Sequence, residues 1–180
     1  MYLATVVVLC VLLTVFNLFL TLGVIRRLRN HTDQFTELGR LMPRPEPMIS
    51  AGKHPSPFTA TTVDGLAVSE ASLRTGGLVG FFSPTCGSCE EWVPRFVEAA
   101  RALPGGPKAA LAVVVADSPS AGAEMVAKLR DVAMVVTEAD RGPVVEAFEA
   151  TGYPAMCRLG DDGAVITNRP VDVVAVPVGA

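Results

Sequence analysis

The sequence predicts an α/β fold: a mixed β-sheet flanked by helices, preceded by one N-terminal transmembrane helix. Three observations lead there. Short apolar runs alternate with amphipathic stretches through the second half of the chain, and the alternation closes on two apolar runs around an Asp161-Asp162-Gly163 turn. The start of the chain is one long uncharged stretch. Strands joined through helices lie parallel, whereas a closing hairpin adds antiparallel strands, so the sheet is mixed. The 180 residues suit one domain of ordinary size with length to spare, and half of them are hydrophobic.

The surplus hydrophobicity is at the start. Leu3 to Ile25 contains no charged residue, and as a helix it would run roughly 34 Å, enough to cross a bilayer. A buried core helix rarely runs so long without charge. A cleaved signal peptide would need a basic leading region and a small-residue cleavage site, and neither is present. Cys10 lies inside the span, as a lipid-facing or packing residue. Arg26, Arg27 and Arg29 follow it, which by charge alone places the rest of the chain in the cytoplasm. Leu28, His31, Phe35, Leu38 and Met42 then recur at helical spacing, so residues 26–50 read as a stalk, closed by the extended spacer MPRPEP. The expected division is an anchor at 1–25, a stalk and Pro-rich linker at 26–50, and a folded domain at 51–180.

Within that domain, PFTATTVDGLAV forms two short strands around Asp64-Gly65. The run at 77–83 suits a buried strand. Residues 87–103 carry a helical pattern, with Trp92, Phe96, Val97 and Ala100 along one side. Residues 110–116 are a second buried strand, 120–131 a helix, 133–137 a strand and 142–151 a helix, before the closing hairpin. The ending NRPVDVVAVPVGA lacks a clear terminal helix and is expected to leave one sheet face less covered. Net charge is −3, with no strongly basic stretch outside the start, so nucleic acid is not an expected partner.

Chemistry concentrates in FFSPTCGSCEEWVP, 81–94. Four cysteines are too few for a disulfide-built scaffold. A zinc site needs four ligands, usually as two pairs; Cys10, Cys157, His31 and His54 supply no second pair. A structural disulfide between Cys86 and Cys89 would close almost no loop and stabilise little. With Cys86 at the tip of the 87–103 helix, unpaired N–H groups and the helix dipole favour thiolate over thiol. Cys86 is then the exposed nucleophile. Cys89, one turn on and deeper, resolves a mixed disulfide, and the exchange needs no cofactor.

The Cys-x-x-Cys spacing, Pro94 five residues after Cys89, and EATGYPAMCRLGDDGAVI (149–166) resemble the thioredoxin superfamily, specifically its membrane-anchored TlpA-like branch. PSPFTATTVDGLAVSEASL resembles the N-terminal hairpin that this branch shares with peroxiredoxins. The resemblance covers roughly residues 55–168. SPTC preceded by phenylalanines, behind an anchor helix and basic residues, is most similar to the accessory thiol–disulfide (MauD-like) proteins of methylamine dehydrogenase maturation. This likeness implies that Pro154 is a cis-proline facing the cysteines, that the Tyr153 backbone pairs with a substrate chain, and that Thr85 stands where an aromatic residue is usual. Gly80 replaces the buried acid of thioredoxin, leaving Glu90 or Glu91 as possible substitutes.

The implied function is a membrane-tethered thiol–disulfide oxidoreductase, a reductase or maturation factor. Its partners are a client protein with cysteines or disulfides and a thiol electron donor, such as a membrane electron-transfer protein. The resemblance places the domain outside the cytoplasm, against the reading of the arginines. Two rivals stand beside it. A peroxidase of the peroxiredoxin type fits Ser83 but has Val79 where proline is usual, and an assembly factor would use the fold only to dock a partner. Cys157, on the strand after Pro154, is expected to be a small buried hydrophobe.

Overall fold

The computed structural model describes residues 46–73 and 77–175, with scattered helical positions between Tyr2 and Asn17. The chain divides into two compact units, Met1–Pro45 and Glu46–Ala180. In the first, Leu12, Leu13 and Phe16 are exposed. Among the described residues no helix is long and apolar enough to cross a membrane. The predicted span at 3–25 is largely outside the described residues. Cys10, the arginines 26, 27 and 29, the stalk at 26–45 and the tail after Ala175 are wholly outside them.

The second unit carries a five-stranded sheet in the order β5-β4-β3-β6-β7, with a two-stranded hairpin beside it. The hairpin is β1 (Thr59–Thr61) and β2 (Ala67–Ser69), turning through Gly65 at φ 79°. In each three-residue strand one residue, Ala60 or Val68, is buried between more exposed neighbours. β3 (Leu78–Phe82), β4 (Ala110–Val115) and β5 (Met134–Glu138) run parallel. Helix α1 (Gly87–Arg101) joins the first two, and α2 (Pro119–Leu129) joins the second pair. β6 (Ala155–Leu159) lies antiparallel to β3, with Val79 opposite Cys157 and Gly80 opposite Met156, and β7 (Val165–Thr167) follows antiparallel to β6. Expected strands and structural strands agree closely, because the central strands β3 and β4 are apolar on both faces. All residues of β3 and β4 are buried.

Each face of the sheet has its own core. Val79, Phe81, Leu111, Val113 and Cys157 pack with Phe58 and Phe148 on one side. Leu78, Phe82, Ala112, Val114 and Met156 meet Phe96 and Leu129 on the other. The Phe82 and Phe96 rings stand edge to face, 5.1 Å between centroids. Gly80 makes that possible: a Cβ there would lie 2.6 Å from the Phe96 ring and 2.7 Å from the Phe82 ring. Burying each such ring contributes about 1.5–3 kcal/mol.

Both outer strands find partners beyond the sheet. Val63 of the hairpin turn donates its N–H to the Val135 carbonyl on β5, at 2.8 Å. On the opposite side Gly52 donates to the Val165 carbonyl, and Val165 donates to that of Lys53. The segment carrying Gly52 also buries Met48 and Ile49, so packing begins at Glu46, earlier than the expected boundary at 51.

Two expectations need correction. The helix expected over 142–151 is only α3 (Pro143–Ala147). Phe148 caps it and Glu149 takes the left-handed conformation at φ 50°, which turns the chain toward Pro154. The ending does cover the sheet: α4 (Pro170–Val173) buries Val173 against the face that holds Phe96, and Arg158 Nε donates to the Val173 carbonyl at 2.8 Å.

Candidate active site

The site forms where β3 ends and α1 begins. After Phe82 the chain turns through Ser83, Pro84 and Thr85. The Thr85 amide reaches Ser83 Oγ at 3.4 Å, and the two hydroxyls lie 3.0 Å apart. The Cys86 amide donates to the Ser83 carbonyl at 3.1 Å, which turns Cys86 onto the helix tip. Cys86 is the N-cap residue, extended at φ −96° and ψ 107°, with no side chain capping the helix. The first-turn amides therefore face the sulfur region with the positive end of the helix dipole.

Cys89 lies one turn deeper. Its amide donates to the Cys86 carbonyl at 3.0 Å. Its side chain is fully buried, whereas Cys86 is partly exposed, and both are free thiols. Burial pushes the Cys89 thiol up to about 12, and its contact with Cys86 adds to this, while the Ser83 backbone offsets part of it. α1 continues past Pro94, whose missing N–H leaves the Glu90 carbonyl without its helical donor. Val93, Phe96, Ala99 and Ala100 hold the helix down regardless.

The opposite wall comes from the loop before β6. The Tyr153–Pro154 peptide bond is cis. The Cys86 thiol donates to the Tyr153 carbonyl at 3.1 Å across 67 residues of sequence. A cavity of about 380 Å³ opens beside this contact, lined by Pro84, Thr85, Cys86, Asp117, Asp140 and Tyr153 among others. The structure thus brings Cys86, Cys89, Thr85, Tyr153 and Pro154 to one place. Thr85 is exposed and contributes its wall through the turn with Ser83.

Other residues singled out in the sequence lie elsewhere. Glu90 and Glu91 are exposed, and Glu91 pairs with Arg95 at 2.8 Å along α1. Trp92 is half-buried against the α1-side core, with the Arg95 guanidinium 4.8 Å from its ring centre. Cys157 is fully buried opposite Val79, and burial alone raises its thiol far above the ordinary range. Among the described residues no group of three or more His, Cys, Asp or Glu could hold a metal ion.

Two acids at the site carry no local signal in the sequence. Asp140 accepts a hydrogen bond from the Tyr153 hydroxyl at 2.7 Å. Burial first, then the Asp140 and Glu138 charges, push that hydroxyl up, so it stays a donor. Glu138, at the end of β5, accepts the Val145 and Val144 amides at 2.7 and 3.2 Å and so caps α3. Its carboxyl is raised chiefly by burial.

No protein-family model and no curated protein sequence matches the chain. Solved structures do. A secreted Mycobacterium tuberculosis disulfide oxidoreductase homologous to E. coli DsbE aligns at 26% identity over 63% of this chain and 84% of its own, with a TM-score of 0.52. A thiol:disulfide interchange protein from a Bacteroides species aligns at 16% identity, covering 70% and 86%, TM-score 0.56. The thioredoxin domain of a Bacteroides vulgatus thiol-disulfide oxidoreductase aligns at 15%, covering 67% and 89%, TM-score 0.55. The second unit of this chain has a thioredoxin-like fold.

Proposed function

We propose that this chain is a thiol–disulfide oxidoreductase acting on cysteines of other proteins. One observation carries the reading: the partly exposed thiol at the α1 tip touches the carbonyl that precedes the cis-proline, with the second thiol buried beneath it. The named neighbours, thiol–disulfide proteins of the same fold, support it.

Ionised Cys86 attacks one sulfur of a client disulfide. The Cys86–client bond forms, the client S–S bond breaks, and the departing client thiolate takes up a proton. Cys89 then gives up its proton and attacks Cys86 Sγ. The Cys86–Cys89 bond forms, the mixed disulfide breaks, and the second client thiolate is protonated. Two electrons have moved from the dithiol to the client, and a thiol donor must return them. The raised Cys89 thiol keeps the resolving sulfur protonated until the mixed disulfide is in place.

The finer reading is a reductase or maturation factor, tethered by residues 3–25, with its domain outside the cytoplasm. The uncharged run, the SPTC motif and the secreted mycobacterial neighbour support this, and a reporter fused after residue 45 tests it. In Cys89→Ser, mixed disulfides are expected to accumulate through Cys86 and to be recovered by diagonal electrophoresis. Trapping through another cysteine, or none at all, would defeat the assignment.

A further inference from the structure

We propose that Asp140 is a positioning residue for the Cys86 thiol and that it acts through Tyr153. The proposal rests on the thiol–disulfide reading above. Tyr153 is tied at both ends: its carbonyl accepts the Cys86 thiol proton at 3.1 Å, and its hydroxyl donates to Asp140 at 2.7 Å. Between these ties the ring packs against the cores of both sheet faces. The Asp140 loop is itself braced. Glu138 before it holds the Val144 and Val145 amides behind it, and a Cβ on Gly142 would overlap the Glu138 carboxylate. A chain of contacts therefore runs from β5 through Asp140 and the Tyr153 ring to the nucleophile.

The chain has two consequences for Cys86. A carbonyl held against the thiol engages the sulfur, so an electrophile reaches it only by displacing that contact. When Cys86 loses its proton and bonds to a client, the same carbonyl is left aligned to accept an N–H from the client backbone. Asp140 thus keeps that carbonyl in register with the sulfur without bonding to the sulfur itself.

The test is the pH–rate profile of Cys86 alkylation in the reduced full-length chain, mapped by mass spectrometry, with thermal midpoints in parallel. At pH 6, Tyr153→Phe and Asp140→Ala are expected to alkylate about two- to five-fold faster than the parent, the worth of one net hydrogen bond. Asp140→Asn should restore the parent profile, since its amide oxygen still accepts the hydroxyl. A purely structural role would move the thermal midpoints and leave the profile in place. Superimposed profiles for Tyr153→Phe and the parent would overturn the proposal and leave the thiol–disulfide reading standing. An Asp140→Asn profile matching Asp140→Ala would also overturn it, by assigning the effect to charge. Cys86 inert in the parent at every pH would bring down both. If Asp140→Ala fails to fold, Tyr153→Phe, which keeps the ring, decides.

Discussion

Cys86 and Cys157 are the same side chain in opposite settings. Cys157 stands inside β6, fully buried, with Val79 opposite it on β3. Cys86 sits where β3 has ended and α1 has begun, partly exposed, with its thiol on the Tyr153 carbonyl. The interior position offers a sulfur only apolar contact, which holds it as a thiol. The junction offers a helix tip, a carbonyl and an open cavity. The difference teaches that position in the fold, and not the residue type, separates the two sulfurs: one stands at a break between elements beside a cavity, the other is sealed inside a strand.

The sharpest way to break that comparison is to swap reactivity. Cys86→Ser is expected to lower disulfide exchange with a model client at least about 10³-fold, as loss of a covalent nucleophile does. Cys157→Ala should stay within about two-fold, since it removes only a small apolar contact. In the reduced native protein at pH 8, iodoacetamide should label Cys86, and label Cys89 and Cys157 only after unfolding. Native-state labelling of Cys157, followed by mass mapping, would erase the distinction.

A second test puts charge into the interior. Gly80→Asp forces a Cβ into the Phe96 and Phe82 rings and buries a carboxylate. A loss of about 3 kcal/mol or more is expected from overpacking and desolvation together. Urea denaturation reads it, and a neutral result would mean that the α1-side core is looser than its ring contacts require.

Cys157→Ser sharpens the comparison further. It keeps the shape and adds a hydroxyl in an apolar site, at an expected cost of about 1–3 kcal/mol with exchange activity retained. The last effect concerns pH. The folded-state thiol of Cys157 is raised above its ordinary value near 9.0. Above pH 9 the unfolded chain therefore releases a proton that the folded chain keeps, so stability falls as pH rises. Below pH 9 this contribution is flat. The slope is about 1.4 kcal/mol per pH unit for one thiol, and Cys157→Ala should flatten the alkaline limb by that share in thermal melts between pH 9 and 11.

Much of this was legible in the chain. Strands β3 and β4 announce themselves because both faces are covered, and the Cys-x-x-Cys run falls at their first crossover. The cis-proline loop was legible only through the resemblance of residues 149–166 to the thioredoxin superfamily, and the Tyr153–Pro154 bond is cis. What stayed hidden has physical causes. Asp140 meets Tyr153 across 13 residues, through a contact that neither residue's neighbours encode. Glu138 looks like the exposed end of a strand, yet it caps a helix that starts several residues later. The early stop of α3 depends on Glu149 taking a conformation usually left to glycine or asparagine. Val173 is buried by a single helical turn, too short to leave a periodic pattern. Met48 and Ile49 pack into the core directly after the proline spacer, at the end of what reads as stalk and linker.

The partners that flank β5 and β7 have a consequence for recognition. Val63 and the Gly52–Lys53 pair already hold backbone groups of the outer strands, so a visiting chain does not find those groups waiting for an added strand. Under the proposed function such a chain would dock instead at the loop carrying Tyr153, whose carbonyl stands on the Cys86 thiol. There sulfur and main chain lie side by side, so on that reading docking and reaction would be one event at one address.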